Sequence, residues 1–400
     1  MRVAIVGGKL QGVEAAFLAR EAGWEVILID RKQSPPAARL CQSFYRCDVV
    51  RDVSSLPRLL EKVDLIIPAV EDVIALRALQ RCAAEVNIPL AYDAEAYFIS
   101  HSKKRSNRLF EKLGIPLPQS WPQCGLPLIV KPSASSGSHG VSKLCTEQEL
   151  GDFIKRVGSG LKHWILQEYV EGSSYSIEVL GLAGRYVALQ VTELEMDGDY
   201  DCQRVLAPAE IPESLDRQIK EIALTIAKSL RLKGIMDVEV ILDHGGVPRV
   251  LEIDARLPSQ TPTAVYESTG INMLELLGHI FVTDTMPVIP EIKALRGVVY
   301  EHIKVSQDGL EFLGEHIMGE VNSLEIIHDF LGTDVSLTNF NLSSFPWVAT
   351  LITTGESREQ AWLKRQQAIE NIKSYLESSI HSQSQPEGLG LAGIPSLSRE

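Results

Sequence analysis

Residues 250–266 read VLEIDARLPSQTPTAVY. The stretch opens as a buried β-strand and then breaks the pattern. Glu252 and Asp254 stand among apolar residues, Arg256 follows on the same parity, and a polar run with two prolines comes next. Upstream, GIMDVEVIL (residues 234–242) carries Asp237 and Glu239, and His244, Gly245 and Gly246 mark the turn of a hairpin. Side chains alternate faces along a strand, so each acidic set shares one face, and the turn sets a register that brings the sets together if the faces coincide. Two carboxylates ~4 Å apart repel by roughly 4 kcal/mol at an effective dielectric near 20. Several of them on a buried sheet need protons, arginines or metal. Oxygen-only ligands favour Mg²⁺, which binds alongside substrate phosphates. An ion network centred on Arg256 is the competing reading.

Working outward, LIVKPSASSGSHGV (residues 128–141) places Lys131 at the end of an apolar strand, before a Ser/Gly loop. A lysine there reaches phosphate oxygens while backbone N–H groups and the hydroxyls of Ser135, Ser136 and Ser138 cover them. It is not a P-loop, because no Gly-Lys-Ser/Thr opens a helix; an ordinary flexible hairpin is the plainer alternative. SHSKKRSNRLF adds Lys103 and Lys104, and ILQEYVEG is an apolar strand ending in a bend that offers backbone groups to a flat heterocycle. The first ninety residues alternate strands (RVAIVGG, EVILID, VDLIIPAV) with helices, which implies a parallel sheet with ligands at its carboxyl ends. Its first turn, GGKLQG, has Lys9 where a dinucleotide fingerprint needs glycine, so a substrate or anion pocket at a helix N-terminus is the better reading than nicotinamide binding. A helical segment over 93–113, a helix over 211–232 and an amphipathic helix over 359–376 complete the outline.

Four hundred residues suit two to four packed subdomains, and 45% hydrophobic content suits a folded globular chain. The net charge of −13 disfavours nucleic acid and acidic membrane surfaces as partners and suits a cationic small substrate. No secretory signal and no membrane-spanning run is read, and the six scattered cysteines read as reduced cytosolic thiols, so a cytoplasmic location is expected.

A lysine, then a lysine with a Gly/Ser lid, then a bend, then a carboxylate hairpin, all behind a parallel-sheet domain, resembles the ATP-grasp superfamily over roughly residues 1–310. The resemblance implies a mixed α/β and α+β fold. Residues 1–95 would form an N-terminal α/β domain and 96–116 a helical connector. A lid would span 117–178 and a central antiparallel-sheet subdomain 179–310, followed by a C-terminal α/β portion over 311–380 and a disordered tail over 381–400. It implies ATP and Mg²⁺, two ions, as cofactors. The nucleotide lysines would be Lys103 and Lys131, the loop 133–140 with Ser138, the adenine hinge Gln167, Glu168, Tyr169 and Val170, and the metal ligands Asp237, Glu252 and Asp254. Arg256 and Lys131 would be catalytic, with Arg256 on an acyl phosphate. Asp254 stands where the superfamily commonly has Asn, Ser102 precedes the first lysine and leaves Lys103 against Lys104 open, and Tyr175 falls where a ribose-binding glutamate is expected.

GGKLQG, EAA, YDC, KGIMDVE, GIN and EIDARLPSQTPTAVY are similar, within that superfamily, to the pyrrolysine-biosynthesis ligases that join 3-methyl-D-ornithine to L-lysine. That likeness implies ornithine-side residues Ser176, Asp237, Arg256, Ser259, Gln260 and Thr261, with Glu301 or His302 nearby. It implies lysine-side residues Leu10, Gln11 and Glu71, and further nucleotide contacts at Lys9, Asp30, Asp48 and Val49. A ligase for another amino-acid pair and a non-catalytic sensor are the alternatives. Oligomeric state is open, a homodimer among the options.

Overall fold

The computed structural model describes residues 1–383 apart from positions 136, 291, 293, 294 and 343. Ser136 and most of the expected tail lie outside the described residues.

The chain opens with β1 (Arg2–Val6), α1 (Leu10–Glu21), β2 (Glu25–Asp30), β3 (Ser43–Arg46), α2 (Leu56–Leu59), β4 (Leu65–Pro68) and α3 (Val73–Val86). The strands form a parallel sheet in the order β3-β2-β1-β4. The Val/Ile runs of β1 and β2 are buried on both faces, as a covered parallel sheet requires. The glycines of the first turn serve close packing. A Cβ on Gly12 would meet the Gly7 carbonyl oxygen at 2.1 Å, and Gly7 itself has φ +103°.

The helical segment expected over 93–113 is two helices, α4 (Ala94–Ser100) and α5 (Lys103–Leu113), with Asp93 capping the first through Glu95 and Ala96 N–H. A small antiparallel sheet follows: β5 (Leu128–Pro132), β6 (Ser142–Leu144), α6 (Glu147–Val157) and β7 (Trp164–Glu168), ordered β6-β5-β7.

The large sheet holds β8 (Ser174–Leu182), β9 (Arg185–Met196), β10 (Cys202–Ala207), β11 (Gly234–Leu242) and β12 (Pro248–Asp254). Between and after these strands come α7 (Glu213–Leu230), α8 (Thr261–Thr269) and α9 (Met273–Val282). The sheet continues with β13 (Gly297–Ser306), β14 (Gly309–Phe312), β15 (Glu325–His328), β16 (Val335–Thr338) and β17 (Trp347–Gly355), with α10 (His316–Gly319) before β15 and α11 (Arg358–Gln383) closing the described chain. The strand order is β12-β11-β8-β9-β10-β13-β17-β16-β15, with β14 hairpinned onto β13. The boundaries expected at 178 and 310 therefore fall inside β8 and β14, where Glu178 pairs with Asp237 and Leu310 with Val305.

One hydrophobic core joins α1 of the parallel sheet to α8, α9 and the large sheet. A second packs α7 beneath β8, β11 and β12, and a third seats α11 on β13 and β17. All six cysteines are unpaired, and among the described residues no helix is long and apolar enough to cross a membrane.

Candidate active site

The hairpin of β11 and β12 explains the anomaly of residues 250–266. Asp237 pairs directly with Asp254, and Glu239 with Glu252. A bulge follows Glu239 and leaves Leu251 unpaired, which switches parity. Val238, Val240, Val250 and Ile253 turn into the α7 core while the four carboxylates turn into a cleft. The bulge also frees the Leu251 carbonyl, which accepts from Lys131 Nζ at 3.4 Å. β8 adds one more row: Glu178 pairs with Asp237, and Ser176 with Glu239.

The cleft holds about 420 Å³ between the small and large sheets, the size of a small-molecule site. Three cations face its carboxylates. Lys103 Nζ lies 2.7 Å from Glu252 Oε2 and donates to Ser135 O at 2.7 Å. Arg256 Nε lies 2.6 Å from Asp254 Oδ2, and its Nη2 donates to Glu71 Oε1 at 2.6 Å. Lys131 is 7% exposed, and burial lowers its ammonium to about 8 against the pull of Glu252.

The carboxylates outnumber these cations. Burial, then repulsion from Asp254 and Glu239, holds Asp237 well above the usual carboxylate range. Burial and the facing Glu252 push Glu239 up to about 8. Burial lifts Asp254 to about 6 even with Arg256 opposing. Glu252 alone is held low, because Lys103 and Lys131 outweigh its burial. Asp237 Oδ1 and Asp254 Oδ1 are buried without a hydrogen-bond partner. An all-oxygen set with unshared lone pairs and excess negative charge fits a hard divalent cation. Glu239, which the sequence reading left out of the ligand set, faces Glu252 directly across the hairpin.

The loop over Lys131 is folded down on the cleft. Ser138, with φ +53°, donates from Oγ to Tyr200 O at 2.5 Å. The end of β7, Gln167 and Glu168, and the bend after it, Tyr169 and Val170, also line the cleft; Tyr169 N–H is taken by Pro127 O, and Lys143 lies 3.5 Å over the Tyr169 ring. Arg249 reaches Glu168 at 3.4 Å. The far wall carries Ser176, Ser259, Gln260 and Thr261. Gln260 adopts φ +70°, ψ −59° just before α8, a strained conformation of the sort functional sites keep. Lys104 points elsewhere, to Lys162 O, so Lys103 is the lysine in the cleft.

Several expected residues lie outside it. Lys9, Asp30, Asp48 and Val49 gather at the carboxyl edge of the parallel sheet, where Asp30 Oδ2 accepts from Gly8 N–H at 2.7 Å and Asp48 Oδ1 from Val50 N–H; none of them lines the cleft. Leu10 lies in a small chamber behind the cleft, and the Gln11 amide is spent on Leu257 O at 2.8 Å. Glu301 is a correction. It points to the opposite face of β13 from Tyr300 and His302, where Arg204 donates to it at 2.7 and 2.9 Å and Arg365 at 2.7 and 2.9 Å. Strand alternation allows only one of Glu301 and His302 to face the cleft side, and it is His302.

Three carboxylates were missed: the buried Glu14 and Glu178 and the half-buried Glu315. Glu14 accepts from Thr263 N–H at 2.6 Å, and Glu315 from Ser259 Oγ at 2.7 Å. Burial lifts Glu14 and Glu178 to about 7, with Thr263 and Thr261 respectively opposing. A carboxylate inside an apolar run (VEAAFLA, SIEVLGL) is the signal that also marked Glu252, and it was present at both positions.

A small antiparallel sheet closing over the carboxylate face of a larger one, with a lysine from each side, defines an ATP-grasp protein. The ATP-grasp domain family matches residues 100–260. The 3-methyl-D-ornithine--L-lysine ligase of Methanosarcina acetivorans is 34% identical over 94% of this chain and 99% of its own length, and that of Methanosarcina barkeri is 34% identical over 93% and 97%. The fold matches the biotin carboxylase domain of Hydrogenobacter thermophilus 2-oxoglutarate carboxylase, a complex with MgADP, at TM-score 0.72 and 15% identity over 92% of this chain and 89% of that one. The chain belongs to the ATP-grasp ligases, in the family of the 3-methyl-D-ornithine--L-lysine ligases.

Proposed function

We propose that this chain is an ATP-dependent carboxylate–amine ligase of pyrrolysine biosynthesis. It joins the carboxylate of 3-methyl-D-ornithine to the ε-amine of L-lysine, giving 3-methyl-D-ornithyl-Nε-L-lysine. The observation that carries the reading is the two directly facing carboxylate pairs, Asp237–Asp254 and Glu239–Glu252, opposite Lys103, Lys131 and Arg256 in one cleft.

A carboxylate is a poor electrophile, and phosphorylation supplies a leaving group. One carboxylate oxygen attacks the γ-phosphorus and ADP departs; the lysine amine then attacks the acyl carbon, the C–O bond to phosphate breaks, and the nitrogen gives up a proton. Mg²⁺, two ions in this reading, would be held by Glu239, Glu252 and Asp254 with Asp237 beside them, and when bound supplies charge stabilisation to the transferring phosphoryl group. Lys103 and Lys131 hold phosphate oxygens, and the 167–170 bend holds the adenine. Arg256 shifts from its partners Asp254 and Glu71 to the acyl phosphate and the tetrahedral oxyanion that follows. Ser176, Ser259, Gln260 and Thr261 face the ornithine; Leu10 and Glu71 face the lysine, with Gln11 fixing the Leu257 backbone between them. The small sheet of β5, β6 and β7 acts as a lid over the large sheet, and the Ser138–Tyr200 contact keeps water from the acyl phosphate. We place the reaction in the cytoplasm, beside its ATP and amino acids.

The test is mass spectrometry of a mixture of the protein, ATP, Mg²⁺, L-lysine and 3-methyl-D-ornithine. The reading expects the coupled product with one ADP per amide, and both dependent on both amino acids. ADP release without coupled product contradicts it.

A further inference from the structure

The turn between β9 and β10, residues 197–201, touches both halves of the cleft. On one side its Tyr200 carbonyl accepts from Ser138 Oγ of the lid loop at 2.5 Å. On the other, the turn and the first residue of β10 hold three consecutive backbone N–H groups at the entry to α10. Gly314 N–H donates to Asp197 Oδ2 at 2.9 Å, Glu315 N–H to Cys202 O at 3.1 Å, and His316 N–H to Asp201 Oδ2 at 3.0 Å. The approach is close enough to require glycine at 314, where a Cβ would collide with the Asp201 carboxylate. Glu315, fixed between clamped neighbours, accepts from Ser259 Oγ at 2.7 Å, and Cys202 O also accepts from Gln260 Nε2 at 3.4 Å. Asp197, Asp201 and His316 lie near enough to one another for a cation site. Four backbone N–H groups and the His316 imidazole already engage the two carboxylates, so the group is a clamp.

One continuous chain of hydrogen bonds joins the two sides. The peptide unit between Tyr200 and Asp201 accepts from Ser138 through its carbonyl and donates through its N–H to Asp197 Oδ1 at 3.0 Å. The same carboxylate takes Gly314 N–H on its other oxygen. A peptide unit is planar, so a pull on its carbonyl re-aims its N–H. A carboxylate engaged at both oxygens passes that movement on, and bonds linked in series strengthen one another. We infer that the 197–201 turn relays closure of the lid loop to the wall formed by Glu315, Ser259 and Gln260, with Asp197 as the positioning residue through which the relay runs. The lid loop is the two-state element. Ser138 sits at φ +53°, unfavourable for a residue with a side chain, and its bond to Tyr200 offsets that cost. With the loop down, residues 314–316 are drawn tight and the wall is set; with the loop up, the wall slackens. Such coupling is reciprocal, so a filled wall in turn favours the closed lid. ATP is then committed under a closed lid chiefly when the amino acid is in place, which limits loss of the acyl phosphate to water. That consequence rests on the ligase reading, whereas the relay needs only the geometry and a bound nucleotide.

The experiment is amide hydrogen–deuterium exchange of the full chain, with and without Mg²⁺ and a non-hydrolysable ATP analogue, and with no amino acid present. It reads the two ends of the relay separately. In the wild type the nucleotide is expected to slow exchange about fivefold or more, both at the peptide carrying Ser138 and at Gly314, Glu315 and His316. Ser138→Ala is expected to abolish the slowing at 314–316, although the substitution lies on the other side of the turn. Asp197→Asn keeps the side chain's shape but leaves one acceptor oxygen where the relay needs two. It is expected to cut the nucleotide's protection of the lid loop about threefold or more. A merely structural role for Asp197 would speed exchange at 314–316 with and without nucleotide and leave the lid loop as it was. Three results overturn the inference: a wild type in which nucleotide leaves 314–316 unchanged, a Ser138→Ala variant that keeps the slowing there, as direct contact with nucleotide would, or an Asp197→Asn variant with lid-loop protection intact. Should Asp197→Asn fail to fold, Ser138→Ala alone decides. Wild-type product formation, followed separately, tests the ligase reading, so failure of one is distinct from failure of the other.

Discussion

Glu252 is the residue on which the cleft turns. It faces Glu239 across the hairpin, pairs with Lys103 at 2.7 Å, and holds the low pKa of the group. Glu252→Ala leaves Glu239 without its facing carboxylate and Lys103 without its counter-ion. ADP formation is expected to fall by about 10²–10³, the scale of losing one preorganised electrostatic contact, while the far-ultraviolet dichroism is retained. Steady-state ADP release checks it, and retention of full turnover contradicts the metal assignment. Glu301 makes the opposite case. It is 1% exposed and clamped by Arg204 and Arg365. Glu301→Gln is expected to cost about 3–5 kcal/mol of stability, as breaking a buried pair does, and to leave the KM for each amino acid unchanged. Denaturant melts and kinetics separate the two. Here the sequence was legible only in part. Glu252, Asp254 and Arg256 announced themselves as charges inside an apolar run, and Lys131 as a lysine before a Ser/Gly loop. Glu315 carried no such mark, because its partners Ser259 and Gln260 come from 55 residues or more away and only tertiary packing brings them together.

At the scale of elements, periodicity read most of the architecture. The alternating strands and helices of the first ninety residues gave a parallel sheet, the hairpin turn fell at Asp243–Gly246, and the expected helix over 211–232 is α7. The bulge at Leu251 was hidden, since strict alternation puts Val250 and Glu252 on one face and only the observed pairing separates them. The break between α4 and α5 was hidden as well; Ser102 carries no proline or glycine to mark it. The lid loop carries the prediction at this scale. Ser138 Oγ bonded to Tyr200 O is its direct tie to the turn between β9 and β10. Ser138→Ala is expected to raise phosphate release relative to coupled product several-fold by admitting water to the acyl phosphate. An unchanged ratio of ADP to product argues against closure through that contact.

For the whole molecule, the parallel sheet and the large sheet share one core, and Glu14 is the charged group placed at their seam, bonded to the first turn of α8. Its carboxyl is raised from 4.5 to about 7 by burial. The folded state therefore binds the extra proton between those values, and the stability this contributes is present at low pH and lost as pH rises through about 7. Wild type is expected to lose stability relative to Glu14→Gln across that window, with a slope on the order of 1 kcal/mol per pH unit. Paired urea melts at pH 4.5 to 8 check the sign; a flat difference contradicts the shift. That seam was not legible in the sequence, because it is formed by residues some 250 positions apart.

The central claim is that acidic side chains of β11 and β12 meet the nucleotide's phosphates through divalent ions. Anomalous diffraction from a crystal grown with Mn²⁺ and a non-hydrolysable ATP analogue tests it most directly. The account predicts manganese peaks bonded to Glu239, Glu252 and Asp254 and to phosphate oxygens. A triphosphate seated on Lys103 and Lys131 with no anomalous peak between it and those carboxylates would contradict it.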